Sequence, residues 1–294
     1  MNDSNGSNLL IKAREESFYQ NFTAQEAKWK HLNFCARTLK KDEVWRQHTG
    51  NAEYCIVLLG GNFAVTSGNE SWRTGNGRAN VFSGLPHALY LPAHTDFTLV
   101  AESELLDIAY SWVETDQQNE PVFITPQMVQ DMGIELRGGD NASRQINRIL
   151  PPGSPCHRLV CVEVYTPSGN WSSFPAHKHD ERKVDAEGTL KEACLEEIYF
   201  YKTDKPRGFA IQHIYTEDRA LDELVEAHNN DVALVPRGHH PVIAGHGYTV
   251  YYLNFLAGSD QSLAASNDPD HEWIYDTWKT MDPRLPLVTI EMNK

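Results

Sequence analysis

Two histidines separated by a single residue, His177 and His179, are the strongest chemical signal in this chain. On a β-strand, side chains two positions apart point to the same face, so both imidazoles can reach one metal ion. The pair alone is a weak signal, because surface histidines with this spacing are common. Its interpretation depends on which other ligand-type residues the fold can bring to the same place.

Two later segments supply such residues. Glu196 and Glu197 stand at the head of a strand-like run, and His239 and His240 follow an apolar run at 232–235. One residue from each segment, added to the first two histidines, gives three nitrogen ligands and one oxygen ligand. This set suits Zn²⁺, Mn²⁺, Fe²⁺ or Ni²⁺ and leaves coordination positions open for a substrate. Spacing alone leaves both members of each later pair as alternatives.

The elements that must position these residues are predicted to be β-strands. Gly and Pro are spread through the chain and cut it into short apolar runs, such as 55–59 and 159–165. Short strand-like runs between turn residues are typical of antiparallel sandwiches and barrels. A more polar stretch at 125–150 is a candidate linker. The sequence therefore predicts an all-β chain of two domains, residues 1–140 and 141–294.

Composition argues against two classes of partner. The 294 residues include 26 Lys and Arg against 40 Asp and Glu, which gives a formal net charge of −14. Phosphate-rich partners select basic patches, so this balance argues against general binding to nucleic acid or to anionic membranes. No apolar run approaches the roughly 18 residues of a membrane-spanning helix. We therefore expect neither nucleic acid nor a membrane as a partner.

The cysteines and the first residues predict a cytoplasmic location. The five cysteines are odd in number and form no CxxC pair, which favours reduced thiols over a disulfide framework. Met1–Asn8 contains no basic segment leading into an apolar run, so no secretory signal is visible.

The ligand pattern resembles that of the cupin superfamily, in which a first motif supplies His-x-His and Glu and a second supplies a His after Pro-x-Gly. Here His177-Lys178-His179 and Pro236-Arg237-Gly238 carry the resemblance. The chain departs from the pattern in two ways. An insertion over 180–195 separates the histidines from the glutamate, and His240 comes one position earlier than usual. The first departure leaves Glu196 as a rival ligand, and the second leaves His239 as one.

A narrower resemblance is to the 5-deoxy-glucuronate isomerases of inositol catabolism. It is dense from Ser143 to the end of the chain and thinner in the first half. The segments that carry it are Gly169-Asn170-Trp171-Ser172-Ser173, His177-Lys178-His179-Asp180, Gly208-Phe209-Ala210-Ile211-Gln212, Val235-Pro236-Arg237-Gly238, His240-Pro241-Val242, Tyr251-Tyr252-Leu253-Asn254 and Asp282-Pro283-Arg284-Leu285-Pro286. The resemblance implies a bicupin, with two jelly-roll cupin β-barrels and the metal in the second barrel only. Short helices are expected at the termini, one of them within 269–281.

The resemblance also implies a ligand set and a reaction. The residues that match the family pattern are His177, His179, Glu197 and His240. Zn²⁺ is the expected ion, with Mn²⁺, Fe²⁺ and Ni²⁺ as alternatives. The implied reaction is an aldose–ketose isomerisation of 5-deoxy-D-glucuronate to 5-dehydro-2-deoxy-D-gluconate, in which a metal ion stabilises the enediolate. A small sugar acid is thus the expected partner, and a homo-oligomer remains open.

Strand alternation supports Glu197 over its neighbour and suggests catalytic residues. Glu197, Tyr199 and Tyr201 share one face of a strand, whereas Glu196 shares its face with packing residues. The two tyrosines are candidates to donate hydrogen bonds to substrate oxygens. Glu163, a carboxylate in an apolar strand, is a candidate base or ligand-orienting group, with a structural ion pair as the alternative.

The substrate carboxylate requires a local cation, because the charge of the whole protein opposes an anion. Arg237 is the best placed by its motif, and Arg182 and Lys183 are further candidates. Lys178 lies between two predicted ligands, but alternation points it away from them, and we expect it to be solvated.

Three other functions compete with this one. The nearest is the sister isomerase that acts on a 4-deoxy-5-keto-uronate from pectin breakdown. The others are a cupin dioxygenase with redox-active iron and a non-catalytic, sugar-binding cupin. The ligand set argues against the non-catalytic alternative, because a purely structural barrel does not need it.

Overall fold

A computed structural model of the chain describes residues 9–293, so Met1–Asn8 and its predicted lack of a secretory signal lie outside the described residues. The regular secondary structure of the described chain is almost entirely β. The strands of its first half are β1 Leu10–Ile11, β2 Gln20–Phe22, β3 Asn33–Lys40, β4 Val44–His48, β5 Ala52–Gly60, β6 Phe63–Ser67, β7 Glu70–Arg73, β8 Ala88–Leu91, β9 Asp96–Ala101, β10 Leu105–Glu114 and β11 Val122–Ile124.

The second half continues the same pattern. Its strands are β12 Glu135–Arg137, β13 Arg144–Leu150, β14 Val160–Thr166, β15 Trp171–Ser172, β16 His177–Lys178, β17 Asp180–Val184, β18 Leu190–Thr203, β19 Phe209–Tyr215, β20 Asp222–His228, β21 Val232–Val235, β22 Val242–Ala244, β23 Val250–Gly258 and β24 Ser266–Asn267.

Helical structure is sparse and differs from the expectation of helices at the termini. The α-helix of residues 9–293, α1 (Pro126–Asp131), lies between the two halves. Thr125 caps it by accepting a hydrogen bond from the Met128 N–H, and proline suits its first turn because that N–H would lack a partner. The helix expected within 269–281 is a 3-10 helix, Glu272–Thr277. Two further 3-10 turns cover Asp140–Ala142 and Ile290–Met292. Within residues 9–293, no helix combines the length and the apolar character needed to cross a membrane.

Each half contains a large and a small antiparallel sheet arranged in the same order, and β16 and β24 of the second half form a further two-stranded sheet. The first half has a large sheet β11-β8-β5-β10-β3-β2 and a small sheet β4-β9-β6-β7. The second has a large sheet β1-β21-β18-β23-β14-β13-β12, with β17 paired to β18, and a small sheet β15-β22-β19-β20. The series β8-β5-β10-β3 matches β21-β18-β23-β14, and β9-β6-β7 matches β22-β19-β20. This shared topology indicates a duplicated sandwich.

The large sheets pack against each other, so both of their faces are buried. One core, which contains Phe34 and Tyr90 from the first half and Phe200 and Phe255 from the second, lies between the halves. Each large sheet also covers the interior of its own sandwich. Because side chains alternate along a strand, successive residues of these sheets enter different cores.

Two strands cross the domain boundary that the sequence predicts. β1 pairs with β21, and β12 pairs with β13, so both belong to the large sheet of the second half. The domain boundary at residue 140 therefore stays a proposal. Two strands that precede it, β1 and β12, pair with strands that follow it.

Candidate metal centre

Because side chains alternate along strand β18, the carboxylates of Glu196 and Glu197 lie on opposite faces of the sheet. Glu197 lies on the face that lines the interior of the second sandwich, as do Tyr199 and Tyr201. Glu196 lies on the opposite face, where its carboxylate accepts hydrogen bonds from the backbone N–H groups of residues 30–32 in the first half. Glu196 therefore joins the two halves, whereas Glu197 faces the interior.

Three of the predicted ligands converge. The ligand atoms of His179, Glu197 and His240 all lie within 4.8 Å of one another, and all three residues are buried. Both histidines approach the same carboxylate oxygen. The distances from Glu197 Oε2 are 2.9 Å to His179 Nε2 and 3.2 Å to His240 Nε2.

Backbone carbonyls fix which ring nitrogen of each histidine is available. His179 Nδ1 lies 3.2 Å from the Leu195 carbonyl oxygen, and His240 Nδ1 lies 2.8 Å from the Gly238 carbonyl oxygen. Since a carbonyl only accepts hydrogen bonds, each Nδ1 carries the proton. In the neutral imidazoles both Nε2 lone pairs then face a carboxylate oxygen, an arrangement that repels unless a cation lies between them. The donor set thus fits a metal ion, and the carbonyls are the orienting partners that metal-binding histidines typically have.

The titration of these groups follows from the same contacts. Burial alone would raise the pKa of Glu197, but hydrogen bonding and charge interaction with His179 and His240 lower it to about 2. Burial would lower the pKa of His179, yet the contact with Glu197 outweighs it and the pKa is raised. The carboxylate is therefore ionised at neutral pH, as a metal ligand requires.

His177 lies at the edge of this cluster. Its ring centroid is 4.9 Å from that of His240 and 6.5 Å from that of His179. It is half-buried and lines the same pocket, although its nitrogen atoms lie outside the 4.8 Å group. Burial, followed by the neighbouring histidines, lowers its pKa well below the usual value, so the ring is neutral with a lone pair available.

A turn at Gly238 places His240, and not His239, in the cluster. Gly238 has φ of +87°, and a Cβ there would lie 2.5 Å from the Tyr215 carbonyl oxygen, so only glycine fits. The next residue pairs with β19 through two backbone hydrogen bonds to Tyr215, of 2.7 and 2.9 Å. The His239 ring lies against the Tyr215 ring, 5.1 Å between centroids, and not in the cluster.

Of the predicted catalytic tyrosines, the structure brings one to the pocket. Tyr199 lines it, with its hydroxyl 3.1 Å from Ser173 Oγ and its ring 5.8 Å from that of His240. Burial raises its pKa well above the usual value, so it is a neutral hydroxyl. Tyr201 lies deeper and donates its hydroxyl hydrogen to Gln212 Oε1 at 2.9 Å, which does not support the substrate contact predicted for it.

Glu163 is not brought to the site, which argues against its predicted role as a base. It lies on the face of β14 opposite to Val162 and Val164, which line the pocket. There it forms a fully buried ion pair with Arg78 of the first half, with 2.5 Å between Arg78 Nη2 and Glu163 Oε1. Hydroxyls of Tyr165 and Tyr251 also donate to it, at 3.2 and 2.9 Å. The structural alternative fits this geometry.

The predicted substrate-binding cations also lie outside the pocket. Arg182 is exposed and bonded to Asp260, and Arg237 is exposed on its loop. Lys183 pairs with Glu192 at 2.8 Å. These placements do not support contact with a substrate held at the cluster.

Lys178 corrects a further expectation, because its side chain is buried rather than solvated. It forms ion pairs with Asp180 at 3.0 Å and Glu217 at 3.1 Å. Alternation does point it away from the cluster, but the small sheet and its loops cover that side as well.

Two members of the cluster, His179 and Glu197, line a pocket, and His177 lines it beside them. The lining residues that sequence reasoning missed include Arg144, Ser173 and Tyr252. Ser173 adopts a left-handed backbone with φ of +50°, and its hydroxyl lies 3.4 Å from that of Tyr252. Ser173 and Tyr252 belong to segments that carry the family resemblance, and Arg144 lies where that resemblance becomes dense.

Comparison with known proteins identifies the family. The KduI/IolB family matches residues 8–274. The chain belongs to the KduI/IolB family. It is 36% identical over 264 residues to a 5-deoxy-glucuronate isomerase of Geobacillus thermodenitrificans, with 90% of this chain and 93% of the relative covered. It is 37% identical over 274 residues to a 5-deoxy-glucuronate isomerase of Shouchella clausii, covering 90% and 98%.

Solved structures agree with this assignment to the KduI/IolB family. An IolB-like protein from Salmonella typhimurium superposes with a TM-score of 0.84 at 35% identity, covering 91% of this chain and 99% of that one. The oxalate decarboxylase of Lactobacillus farciminis gives a TM-score of 0.60 at 12% identity, covering 90% of each chain, and shows the fold alone. The predicted all-β bicupin fold and the family resemblance are thus confirmed.

Proposed function

We propose that this chain is an isomerase that converts 5-deoxy-D-glucuronate into 5-dehydro-2-deoxy-D-gluconate. The observation that carries the proposal is the convergence of His179, Glu197 and His240 beside a pocket that the first two of them line. It is supported by the relatives, which are named 5-deoxy-glucuronate isomerase and align over about nine-tenths of the chain. An aldose–ketose isomerisation moves a proton between neighbouring carbons and shifts a carbonyl, so it requires a site that stabilises negative charge on oxygen.

A divalent metal ion fits this requirement. His179, Glu197 and His240 would hold it, and His177 would complete the predicted set of three nitrogen ligands and one oxygen ligand. When bound, the ion supplies Lewis-acid polarisation of a carbonyl and stabilisation of an oxyanion. Zn²⁺ is the proposed ion, because it has no redox chemistry and commonly binds histidine and glutamate, with Mn²⁺, Fe²⁺ and Ni²⁺ as alternatives.

The protein groups around the cluster bind and orient the sugar. The Tyr199 hydroxyl, kept neutral by burial, can donate a hydrogen bond to a substrate oxygen. Ser173 lies within hydrogen-bond reach of that hydroxyl, at 3.1 Å, and fixes its direction. Val162, Val164 and Leu256 form an apolar wall that limits water around the reacting carbons.

Two substrates and an oxygen measurement test the proposal. The metal-loaded protein is incubated separately with 5-deoxy-D-glucuronate and with the 4-deoxy-5-keto-uronate of pectin breakdown, while dissolved oxygen is recorded. We expect turnover of the first without oxygen uptake. Turnover of the second alone would transfer the function to the sister isomerase, and oxygen uptake coupled to turnover would indicate a dioxygenase. The cytoplasmic location and any homo-oligomer stay predictions from the sequence.

A further inference from the structure

Three arginines line the pocket, and the charges of two of them are partly compensated by one carboxylate. Arg137 and Arg148 both contact Glu135, at 2.5 Å and 2.7 Å. All three residues lie on β12 and β13, at one side of the pocket. The three side chains keep a net charge of +1, but Arg137 and Arg148 are 53% and 40% exposed, so water screens that charge.

The third arginine, Arg144, has no such compensation. It is 5% exposed, and no carboxylate of residues 9–293 lies within ion-pairing distance of its guanidinium. The hydrogen bond it makes is a long one, 3.5 Å from Nη1 to the Phe174 carbonyl oxygen. A guanidinium has five N–H donors in a planar fork, so most of its capacity is unused. Burial lowers its pKa, but an arginine remains protonated at neutral pH.

Burying a charge without a partner is costly, and proteins rarely retain such a group unless a ligand supplies the partner. Arg144 borders the same pocket as His177, Tyr199 and Tyr252. A planar guanidinium fits a carboxylate through two parallel hydrogen bonds. A net charge of −14 repels anions from the protein as a whole, so an anionic substrate needs a local, buried cation of this kind.

We propose that Arg144 binds the carboxylate of the substrate and thereby makes the site selective for sugar acids over neutral sugars. The proposal deepens the isomerase function and rests on it for the identity of the substrate. The sugar then spans the pocket, with its carboxylate at β13 and its carbonyl end at the cluster on β18. Arg182 and Arg237, which sequence patterns favour for this role, lie on exposed surface instead.

Two matched sugars distinguish binding of the substrate carboxylate from a general role of Arg144 in folding or catalysis. The first sugar is 5-deoxy-D-glucuronate, and the second is the aldose with a primary alcohol in place of the carboxylate, 5-deoxy-D-glucose. We expect Arg144→Met to lower kcat/KM for the uronate by about 100-fold or more, the range for truncating one partner of a buried charge pair. The value for the neutral sugar should change by no more than a few-fold. Arg182→Met, which removes an exposed arginine, should leave both unchanged.

A conservative variant distinguishes loss of the carboxylate contact from a folding defect. Arg144→Lys keeps the positive charge but loses the bidentate fork, so it should lower kcat/KM for the uronate by at least about tenfold, mainly through KM. Equal losses for both sugars in Arg144→Met would overturn the proposal. So would full uronate activity in Arg144→Lys.

A binding measurement distinguishes failure of the anchor from failure of the isomerase function. 5-Deoxy-D-glucuronate is titrated calorimetrically into the wild type and into Arg144→Lys. Binding that weakens in the variant supports the anchor even if the wild type does not turn the sugar over, in which case only the isomerase function fails. Wild-type binding that the variant retains in full, or no binding at all, overturns the anchor.

Discussion

His179 Nε2 lies 2.9 Å from Glu197 Oε2, and backbone interactions orient both side chains. The histidine Nδ1 is bound to the Leu195 carbonyl oxygen, and the glutamate is fixed by the pairing of β18 with β21 and β23. The imidazole and the carboxylate are therefore preorganised around a position that favours a cation.

Loss of a ligand histidine should remove the metal. We expect His240→Ala, and likewise His177→Ala, to abolish both metal retention and isomerase activity, because each removes a nitrogen donor from the proposed shell. Metal content by mass spectrometry and turnover of 5-deoxy-D-glucuronate measure the two effects. His213→Ala is the matched control, since that histidine is bonded to Asp222 away from the cluster. Full metal content and turnover in either ligand variant would refute the assignment.

Replacement by glutamine should affect metal binding at Glu197 and stability at Glu196. Glu197→Gln should lose metal, because it removes the charged oxygen ligand. Glu196→Gln should retain metal but lower the free energy of unfolding by about 1–3 kcal/mol, since it weakens charge-assisted hydrogen bonds between the halves. Urea denaturation and metal analysis of both variants decide. The reverse pattern would show that β18 is shifted by one residue.

The ion pair between Arg78 and Glu163 should matter for stability and not for chemistry. Arg78→Met leaves a buried carboxylate without its partner and should lower the free energy of unfolding by about 3–5 kcal/mol. Folded Glu163→Gln protein should bind metal and turn over substrate at close to the wild-type level. Chemical denaturation and kinetics at saturating metal measure both. If Glu163→Gln is as stable as the wild type but inactive, Glu163 is the base after all.

Asp282 should contribute an acid-sensitive part of the stability near β13. Its hydrogen bond with Arg284, followed by other contacts, lowers its pKa from 3.8 to about 2. A lowered folded-state pKa gives stability that is present above pH 3.8 and is lost as the pH falls through 2. Asp282→Asn should therefore be about 1–2 kcal/mol less stable than the wild type at neutral pH, with the difference vanishing near pH 2. Denaturation curves at several pH values measure it, and a pH-independent difference would contradict the assignment.

Strand alternation explains both what the sequence predicted and what it missed. It placed Glu197 and Tyr199 on one face of β18, and the structure has them there. It does not decide between the alternatives for Glu163, because a large sheet packed between its own sandwich and the other half has two buried faces. Alternation shows which residues share a face of the sheet, but it does not show which of the two buried faces lines the pocket.

The long-range placement of Arg144 was beyond sequence reasoning for a related cause. Its segment looked like part of a linker, since the stretch at 125–150 is polar. Only the pairing of β13 with β14 brings it beside the pocket, more than thirty residues before the first predicted ligand. The motif favours Arg237, and Arg182 lies near the ligands in sequence, but neither feature predicts proximity to the pocket in space.

The central claim is a metal-dependent isomerisation at His179, Glu197 and His240, and NMR tests it most directly. 5-Deoxy-D-glucuronate is followed with the chelator-stripped protein, with the same protein after Zn²⁺ or Mn²⁺ is restored, and with metal-treated Glu197→Gln. We predict conversion of the aldehyde form to the ketone only with the restored wild-type protein. No conversion under any metal, or equal conversion by the stripped protein or by Glu197→Gln, would contradict it.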